Sequence, residues 1–188
     1  MNIPFENEFE SSPEEYLRAE LAREFRHECV NGRLRVREDS SLVHCEIVTA
    51  LQVALGVHLR TSPCQVFGSN FKVHIRDGDA FWFYYPDMCV VCDQSALQEY
   101  YTDSVAVVAE VLSQSTEPID RIEKFITYRL MPSLHTYILA AQDKREVTVF
   151  HRTTGDWSRT ILTGDATLSI PELAFSVSLD ALYVRTGL

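Results

Sequence analysis

The chain has 188 residues, of which 46% are hydrophobic and 23% charged, and its formal net charge is −10. A chain of this length buries about 70% of its unfolded surface in one core, so we expect a single domain without disulfide or metal staples. The composition excludes a disordered chain, and no apolar run approaches the ~20 residues of a membrane span. The acidic start also lacks the pattern of a signal peptide, so a cytoplasmic protein is expected.

Cysteine usage favours free thiols. The five cysteines are an odd number in a mid-sized chain, which is more typical of reduced thiols than of a disulfide framework. Cys89 and Cys92 form a C-x-x-C, but they lie in a predicted strand, where positions three apart face opposite sides. We therefore expect no zinc site at this pair.

The first third of the chain carries helix signals with one strand between them. Ser12, followed by Pro13 and a Glu three residues after the cap, predicts a helix over about 13–27. A period-two alternation over 33–37 predicts a strand that is exposed on one face. Apolar residues at helical spacing then predict a second helix over about 40–59.

Two apolar stretches in the middle each contain a single charged residue. An extended segment over 64–75 and a turn over 77–79 precede the first stretch, residues 81–92, whose only charge is Asp87. The second stretch, residues 105–112, contains only Glu110. A buried carboxylate is costly unless a cation or hydrogen-bond donors meet it. Either acid alone could pair with a backbone group or a surface arginine, but two in consecutive strands favour a shared site.

A lysine follows these acids on a predicted amphipathic helix over 117–130. Lys124 lies beside the predicted apolar stripe, so its stem could cross the core edge and bring its ammonium group to the preceding strands. The alternative is a weak surface pair with Asp120, four residues earlier. The predicted stripe consists of Ile119, Ile122, Phe125, Ile126 and Leu130.

Short alternating strands are predicted beyond Leu134, with a hairpin at 154–156 and a turn at 163–165. The single domain therefore divides into an N-terminal helical part, about 11–60, a catalytic core, about 64–142, and C-terminal strands, about 145–188. We interpret the last part as scaffold.

Several segments together resemble a known family. They are SPEEYL, HECVNGRL, YYPDMCVV, AEVLSQST, DRIEKFITYR and MPSLHTYIL. In this order they resemble the Uma-two family of restriction endonucleases, a branch of the PD-(D/E)XK nuclease superfamily. The resemblance implies an α/β fold with a mixed sheet, which is a restriction-endonuclease-like core with flanking helices and C-terminal β-hairpins.

The resemblance also implies a site. Asp87, after Pro86, would be the first acidic motif, Glu110 the second, and Lys124 the lysine moved onto the following helix. The literal E-x-K would place the lysine at 112, where this chain has Leu112. Gln114 and Ala141 stand where the family usually has a proline and an acidic residue, but neither position is a proposed metal ligand.

Two carboxylates near a lysine suit hydrolysis of a phosphodiester bond with a divalent cation. Mg²⁺ or Mn²⁺ would bind Asp87 and Glu110, with the backbone carbonyl of Val111 as a further ligand. Lys124 would orient or deprotonate a water, or stabilise the developing phosphorane charge. DNA is the expected substrate.

Other residues are weaker candidates for this site. Glu28 is a further candidate metal ligand by resemblance, or a structural acid at the end of the first helix. His44 would contact phosphate or shuttle a proton, or be satisfied by local hydrogen bonds. The resemblance also suggests weak roles for Tyr128 and Gln142.

Substrate contact could come from two groups of residues. Arg33, Arg35 and Arg37 share one face of a predicted strand and could track a phosphate backbone, or form a solvated surface. The aromatic run 81–85 could stack bases, or belong to the core or to a dimer interface.

Two other functions remain open. The acidic net charge and the absence of a sequence-reading motif are also compatible with a noncatalytic nucleic-acid or protein-binding module on the same fold. A hydrolase of small phosphate esters would use the same metal. A homodimer is expected from the superfamily and from the aromatic edge.

Overall fold

Two six-stranded sheets and one long helix make up most of this computed structural model, which describes residues 7–8 and 12–188. The strands are β1 Asn7–Glu8, β2 His27–Val30, β3 Arg33–Val36, β4 Gln65–Gly68, β5 Lys72–Asp77, β6 Ala80–Tyr84, β7 Met88–Val91, β8 Tyr101–Thr102, β9 Val107–Leu112, β10 Thr136–Ala141, β11 Glu146–Arg152, β12 Trp157–Thr163, β13 Thr167–Ile170 and β14 Phe175–Ser178. The helices are α1 Pro13–Leu21, α2 Leu42–His58, α3 Phe125–Tyr128 and α4 Leu179–Leu182, with a π-helical segment over Ile119–Lys124 and short 3₁₀ turns at Gln94–Ala96 and Pro171–Leu173.

The sheets are mixed. The first has the strand order β1-β3-β2-β6-β5-β8, the second β12-β11-β10-β9-β7-β4, and β13 pairs with β14 in a small hairpin. The pairs β9 with β10 and β5 with β8 are parallel, and the other described pairs are antiparallel. The fold is therefore the mixed α/β architecture that the sequence predicts.

The central strands of the second sheet, β7, β9 and β10, are buried on both faces. Along β7, Met88 and Val90 belong to a first core with α2, whereas Cys89 and Val91 belong to a second core that includes residues of the first sheet. This alternation follows from the two-residue period of a strand, and burial on both faces explains why the sequence is almost continuously apolar here.

Several predicted elements are confirmed, with small shifts at their ends. The second predicted helix is α2, the strand over 33–37 is β3, and the second apolar stretch contains β9. Ser12 caps α1 and forms a reciprocal capping box with Glu15. The turns at 77–79 and 163–165 and the hairpin at 154–156 are present, each with a glycine at positive φ.

Other boundaries in the first half of the chain are wrong. The first helix ends at Leu21, not near 27, because residues 27–30 pair with both β3 and β6 as a central strand. The run 81–92 is two strands in different sheets, since Pro86, which has no N–H to donate, interrupts it between β6 and β7. The extended segment 64–75 is likewise divided into β4 and β5.

The predicted buried stripe of the helix after β9 is wrong for three of its five residues, since only Ile119 is buried and Phe125 partly buried. Ile122, Ile126 and Leu130 are 61%, 57% and 43% exposed, whereas Asp120 and Lys124 are buried. Residues 119–124 form a π-helix, in which each turn takes up more residues than in an α-helix. An apolar pattern assigned with the α-helical period therefore points to the wrong face.

The prediction that the cysteines are all free thiols is wrong for two of them. Cys64 and Cys92 form a disulfide, because the β4–β7 register that pairs Gln65 with Val91 brings them opposite each other. The remaining three, Cys29, Cys45 and Cys89, are free. Cys89 lies in the second core and Cys92 packs against the first, so this C-x-x-C does not converge on a metal.

No helix in the described part of the chain is both long and apolar enough to span a bilayer. The expectation that the chain has no signal peptide rests on the acidic segment before Ser12. Except for β1, this segment lies outside the described residues.

Candidate active site

Strand register brings the two lone carboxylates together. β7 pairs antiparallel with β9 so that Met88 lies opposite Ala109, which leaves Asp87 beside Glu110. The backbone N–H of Asp87 donates to Glu110 Oε2 at 3.2 Å, and the N–H of Val111 donates to Asp87 Oδ2 at 2.8 Å. Both acids are buried, so they form the centre of a polar site inside two apolar strands.

Lys124 reaches this pair from the π-helical segment. Its Nζ lies 3.0 Å from Glu110 Oε1, 3.1 Å from Glu28 Oε1 and 3.2 Å from Asp120 Oδ1. The lysine is only 6% exposed. The contact with Asp120 is therefore part of the buried cluster and not the surface pair considered above.

Asp87 is held by two further elements. Arg37 Nη2 lies 2.6 Å from Asp87 Oδ1, and the same guanidinium group donates to the carbonyl of Ser69. His44 Nε2 lies 2.9 Å from Asp87 Oδ2. Ser41 caps α2 by accepting the N–H of His44, which fixes the ring near the start of the helix. His44 therefore contacts the candidate site in addition to its local cap.

Glu28 comes from β2 and not from a helix end. It accepts hydrogen bonds from Arg35 Nη2 at 3.0 Å and from the N–H of Tyr85 at 3.3 Å, in addition to its contact with Lys124. Arg35 also donates to both carboxylate oxygens of Glu123, which lies at the edge of the site. Glu28 thus connects Lys124 to the ion pair between Arg35 and Glu123.

Arg33, Arg35 and Arg37 do not form one exposed row, contrary to the expectation that they share an exposed strand face. Arg33 is exposed, but Arg35 is buried against carboxylates and Arg37 is drawn to Asp87. Arg35 and Arg37 thus pair with acids of the cluster, where the exclusion of water strengthens the attraction between opposite charges. For the run 81–85, the structure supports the alternative that it belongs to the core, since Phe81, Phe83, Tyr84 and Tyr85 are buried.

The remaining predicted residues divide into two groups. Val111 and Gln142 line the cavity that contains the cluster, and Gln142 accepts a hydrogen bond from Ser41. Tyr128 lies in the second core, where its hydroxyl has no hydrogen-bond partner. This cavity has a volume of about 70 Å³, which is room for a few water molecules beside the carboxylates.

Burial and neighbouring charges separate the pKa values of the acids. Burial alone would raise the pKa of Glu28 and Asp87, but Lys124 and Arg35 hold the pKa of Glu28 below its usual value, and His44 and Arg37 do the same for Asp87. Burial raises the pKa of Glu110 well above its usual value, and the other acids add to this effect. Burial also raises the pKa of Asp120.

Lys124 remains protonated in this environment. Burial would lower its pKa, but Asp120, Glu110 and Glu28 raise the pKa well above its usual value. The cluster therefore presents an ammonium group, which donates protons in hydrogen bonds and does not accept them.

The cluster has more negative than positive charge. Leaving the ring of His44 aside, four buried carboxyl groups, those of Glu28, Asp87, Glu110 and Asp120, face three cations, those of Lys124, Arg35 and Arg37. Asp120 Oδ1 is buried without a hydrogen bond of good geometry, although it contacts Lys124. Burial is the main cause of the raised pKa values of Glu110 and Asp120, and the neighbouring acids add to it.

The donor chemistry fits a hard divalent cation. All the candidate ligands are oxygens, which Mg²⁺ and Mn²⁺ prefer, and Mg²⁺ commonly needs only one or two carboxylates because it keeps several waters. Within residues 12–188, no group of three or more His, Cys, Asp or Glu side chains is arranged as a ready ligand cage. A cation would therefore compete with N–H donors that already contact Asp87 and Glu110.

Asp120 and Gln52 are site residues that the sequence does not single out, whereas Arg37 is singled out for a different role, contact with a phosphate backbone or a place on a solvated surface. Asp120 has a visible signal, because it stands four residues before Lys124 in DRIEK, but it was interpreted as a surface residue. Gln52, whose amide donates to the carbonyl of Asp87 at 3.3 Å, has no local signal at all.

The fold and this acid–lysine cluster define a restriction-endonuclease-like α/β domain. A solved structure from Anabaena variabilis, described as "a putative nuclease belonging to DUF820", matches with a TM-score of 0.72 at 17% identity and covers 92% of this chain and 97% of that chain. The family model "Uma2: Putative restriction endonuclease" matches residues 13–182, so the chain belongs to the Uma2 family.

Two curated proteins from Synechocystis are also similar. "Uncharacterized protein slr1290" is 29% identical over 174 residues, which cover 92% of this chain and 90% of that protein. "Uncharacterized protein sll1609" is 26% identical over 131 residues, which cover 68% of this chain and 73% of that protein. The family resemblance thus extends over nearly the whole chain.

Proposed function

We propose that the chain is a nuclease that hydrolyses DNA phosphodiester bonds at the cluster of Asp87, Glu110 and Lys124, with Mg²⁺ or Mn²⁺ as cofactor. The observation that carries this proposal is the meeting of two lone strand carboxylates with a buried lysine in one cavity. Membership of the Uma2 family supports the same class of activity.

The residues have separate roles in this proposal. Asp87 and Glu110 hold the cation, together with the backbone carbonyl of Val111, and Glu28 balances the charge of Lys124. When bound, the cation stabilises charge on the phosphoryl oxygens and lowers the pKa of a bound water. Arg37 and His44 fix Asp87 from the other side.

Lys124 acts as a donor and not as a base. Its raised pKa keeps it charged at neutral pH, so it would orient the attacking water or stabilise negative charge on the phosphorane. Removing this charge is therefore expected to reduce the rate of cleavage without preventing metal binding by the carboxylates.

Cleavage of labelled single-stranded and double-stranded DNA at low salt, with Mg²⁺ or Mn²⁺, tests the proposal. We expect the wild type to cut, and Asp87→Ala and Lys124→Ala to lose at least about 100-fold in rate, the usual size of a lost electrostatic contribution. Lys144→Ala is the matched control, because Lys144 is exposed and pairs with Glu146 outside the cluster. Cutting that survives in Asp87→Ala would contradict the proposal.

A noncatalytic binding module is the second candidate, and one observation favours it. Every carboxylate oxygen of Asp87 and Glu110 already accepts a hydrogen bond from an N–H group, as in a purely structural charge network. Such a module would bind nucleic acid or protein without cutting, and its binding would not require a divalent cation.

A further inference from the structure

A second cavity adjoins the active-site cavity. It has a volume of about 580 Å³, which is within the size range of small-molecule sites. We call it the flanking groove. It shares Ser40, His44 and Asp87 with the active-site cavity, so the two are continuous at the candidate catalytic acid. A substrate strand whose phosphate lies at Asp87 would have its neighbouring nucleotide at the entrance of the groove.

The two walls of the groove are both tied to Asp87. One wall is α2, from which the amide of Gln52 donates to the carbonyl of Asp87. The other wall is the turn 68–71, whose Ser69 carbonyl accepts from the same Arg37 that contacts Asp87. Because Gly68 has no Cβ, the Gln52 amide fits against this turn, where a Cβ would lie 2.6 Å from its nitrogen. The groove is thus built onto the catalytic acid.

Two stacked aromatic rings line the second wall. The centroids of Phe67 and Phe71 are 4.4 Å apart and the rings are inclined by 23°. Phe67 packs against the second core, which anchors the pair, and both rings remain partly exposed. Phe71 therefore extends a rigid aromatic platform along the groove.

The chemistry of the lining selects a base and not a phosphate. Apart from Asp87 and the ring of His44, the groove is lined by aromatic and aliphatic side chains and by uncharged polar groups such as Thr49, Gln52 and Asn70. Among the residues that the structure describes, no lysine or arginine, which would recognise phosphate, lines this groove. Flat apolar rings flanked by amides and hydroxyls suit an unpaired nucleobase, which can stack and hydrogen-bond at once.

We infer that the flanking groove binds an unpaired nucleobase next to the scissile phosphate, with Phe71 as the stacking platform. The inference rests on the proposed function, since it assigns the nucleotide that adjoins the phosphate at Asp87. A paired base cannot enter the groove without leaving its partner. The enzyme therefore prefers single-stranded or locally unpaired DNA over a continuous duplex.

The test compares two single-stranded 12-mers of equal charge, thymidine 12-mer and a fully abasic 12-mer, by fluorescence anisotropy in EDTA. Wild type is expected to bind the thymidine 12-mer more tightly by about fivefold or more, the lower range of one stacked base. Phe71→Ala should remove this difference and leave abasic binding unchanged, whereas Phe71→Trp should retain it. Phe25→Ala, at a 63% exposed site outside the groove, is the control.

Several outcomes would overturn the inference. Equal wild-type affinity for the two 12-mers, or no binding of either, excludes a base site without the use of any variant. An equal loss for both 12-mers in Phe71→Ala would make Phe71 structural. Since this assay needs no cleavage, failure of the nuclease proposal is seen separately: base-dependent binding without Mg²⁺-dependent cutting leaves the groove intact and removes the catalytic role.

Discussion

Asp87 accepts contacts from three separate parts of the chain. Arg37 follows β3, His44 belongs to α2, and the N–H of Val111 belongs to β9. A carboxylate held by this many donors keeps a low pKa and a fixed orientation. Glu110 and Asp120 have fewer donors and raised pKa values. Ionising these two acids therefore destabilises the folded state, whereas ionised Asp87 is stabilised by its donors.

Asp120→Asn should stabilise the metal-free protein at neutral pH. The folded state raises the pKa of Asp120, so its ionised form opposes folding, and the penalty grows as the pH rises above about 4 through the raised value. A gain of about 1 kcal/mol would raise Tm by about 2–4 °C in a chain of this size. Thermal unfolding in EDTA at pH 8 and at pH 4.5 measures it, and the gain should be smaller at the lower pH.

Asp165→Asn is the control for this measurement, because Asp165 is an exposed turn residue. A lower Tm for Asp120→Asn at pH 8 would show that the contact with Lys124 outweighs the cost of burying this charge, and the cluster would then have no excess to offer a cation.

At the scale of the elements, the helical segment after β9 shows what local pattern does and does not determine. The lone charges in 81–92 and 105–112 are visible in the sequence, because an acid stands out within an apolar strand. The face that the segment 119–128 buries is not visible, because Lys124 and Asp120 turn inward toward partners that come from β2 and β9. Those partners become neighbours only when both sheets have formed.

Substitutions on this segment should separate its two faces. Ile126→Glu is expected to change the free energy of unfolding by no more than about 0.5 kcal/mol, since surface changes rarely do more. Tyr128→Ala should cost about 3–5 kcal/mol, because Tyr128 is fully buried in the second core. Urea unfolding gives both values. A large loss of stability in Ile126→Glu would instead show that Ile126 is buried, as the α-helical stripe predicted from the sequence requires.

The same limit applies to the other residues that were assigned incorrectly. Glu28 and Arg35 are paired across β2 and β3, and each pattern by itself resembles a helix end or an exposed strand. By contrast, α2 and the C-terminal turns depend on local spacing and glycine positions, and these were predicted closely. Local signals thus define most elements, whereas the charge network depends on long-range register.

At the scale of the whole molecule, one covalent link joins β4 to β7. The bond between Cys64 and Cys92 closes a loop with a sequence separation of 28 and constrains the unfolded chain. A loop of this length is expected to contribute about 3.6 kcal/mol. Cys64→Ser should therefore lower the midpoint of urea unfolding under non-reducing conditions and leave it almost unchanged under reducing ones. If Cys64→Ser and the wild type had the same midpoint under non-reducing conditions as well as reducing ones, the bond would not form in solution.

The charge balance of the whole molecule agrees with that of the site. The chain carries a net charge of −10, and its most deeply buried charges also include more acids than bases. A polyanionic substrate would approach such a protein more readily once a cation has reduced this excess. A divalent cation should therefore tighten the binding of DNA that already occurs in EDTA, in addition to supporting the chemical step.

The most direct test of the account is a calorimetric titration of the metal-free protein with Mn²⁺. We expect binding to the wild type, loss of that binding in Asp87→Ala and Glu110→Ala, and unchanged binding in Glu117→Ala, which removes an exposed acid that pairs with Arg121. A wild type that does not bind Mn²⁺ would contradict the central claim, and the buried acids would then form a structural network with Lys124 and Arg37.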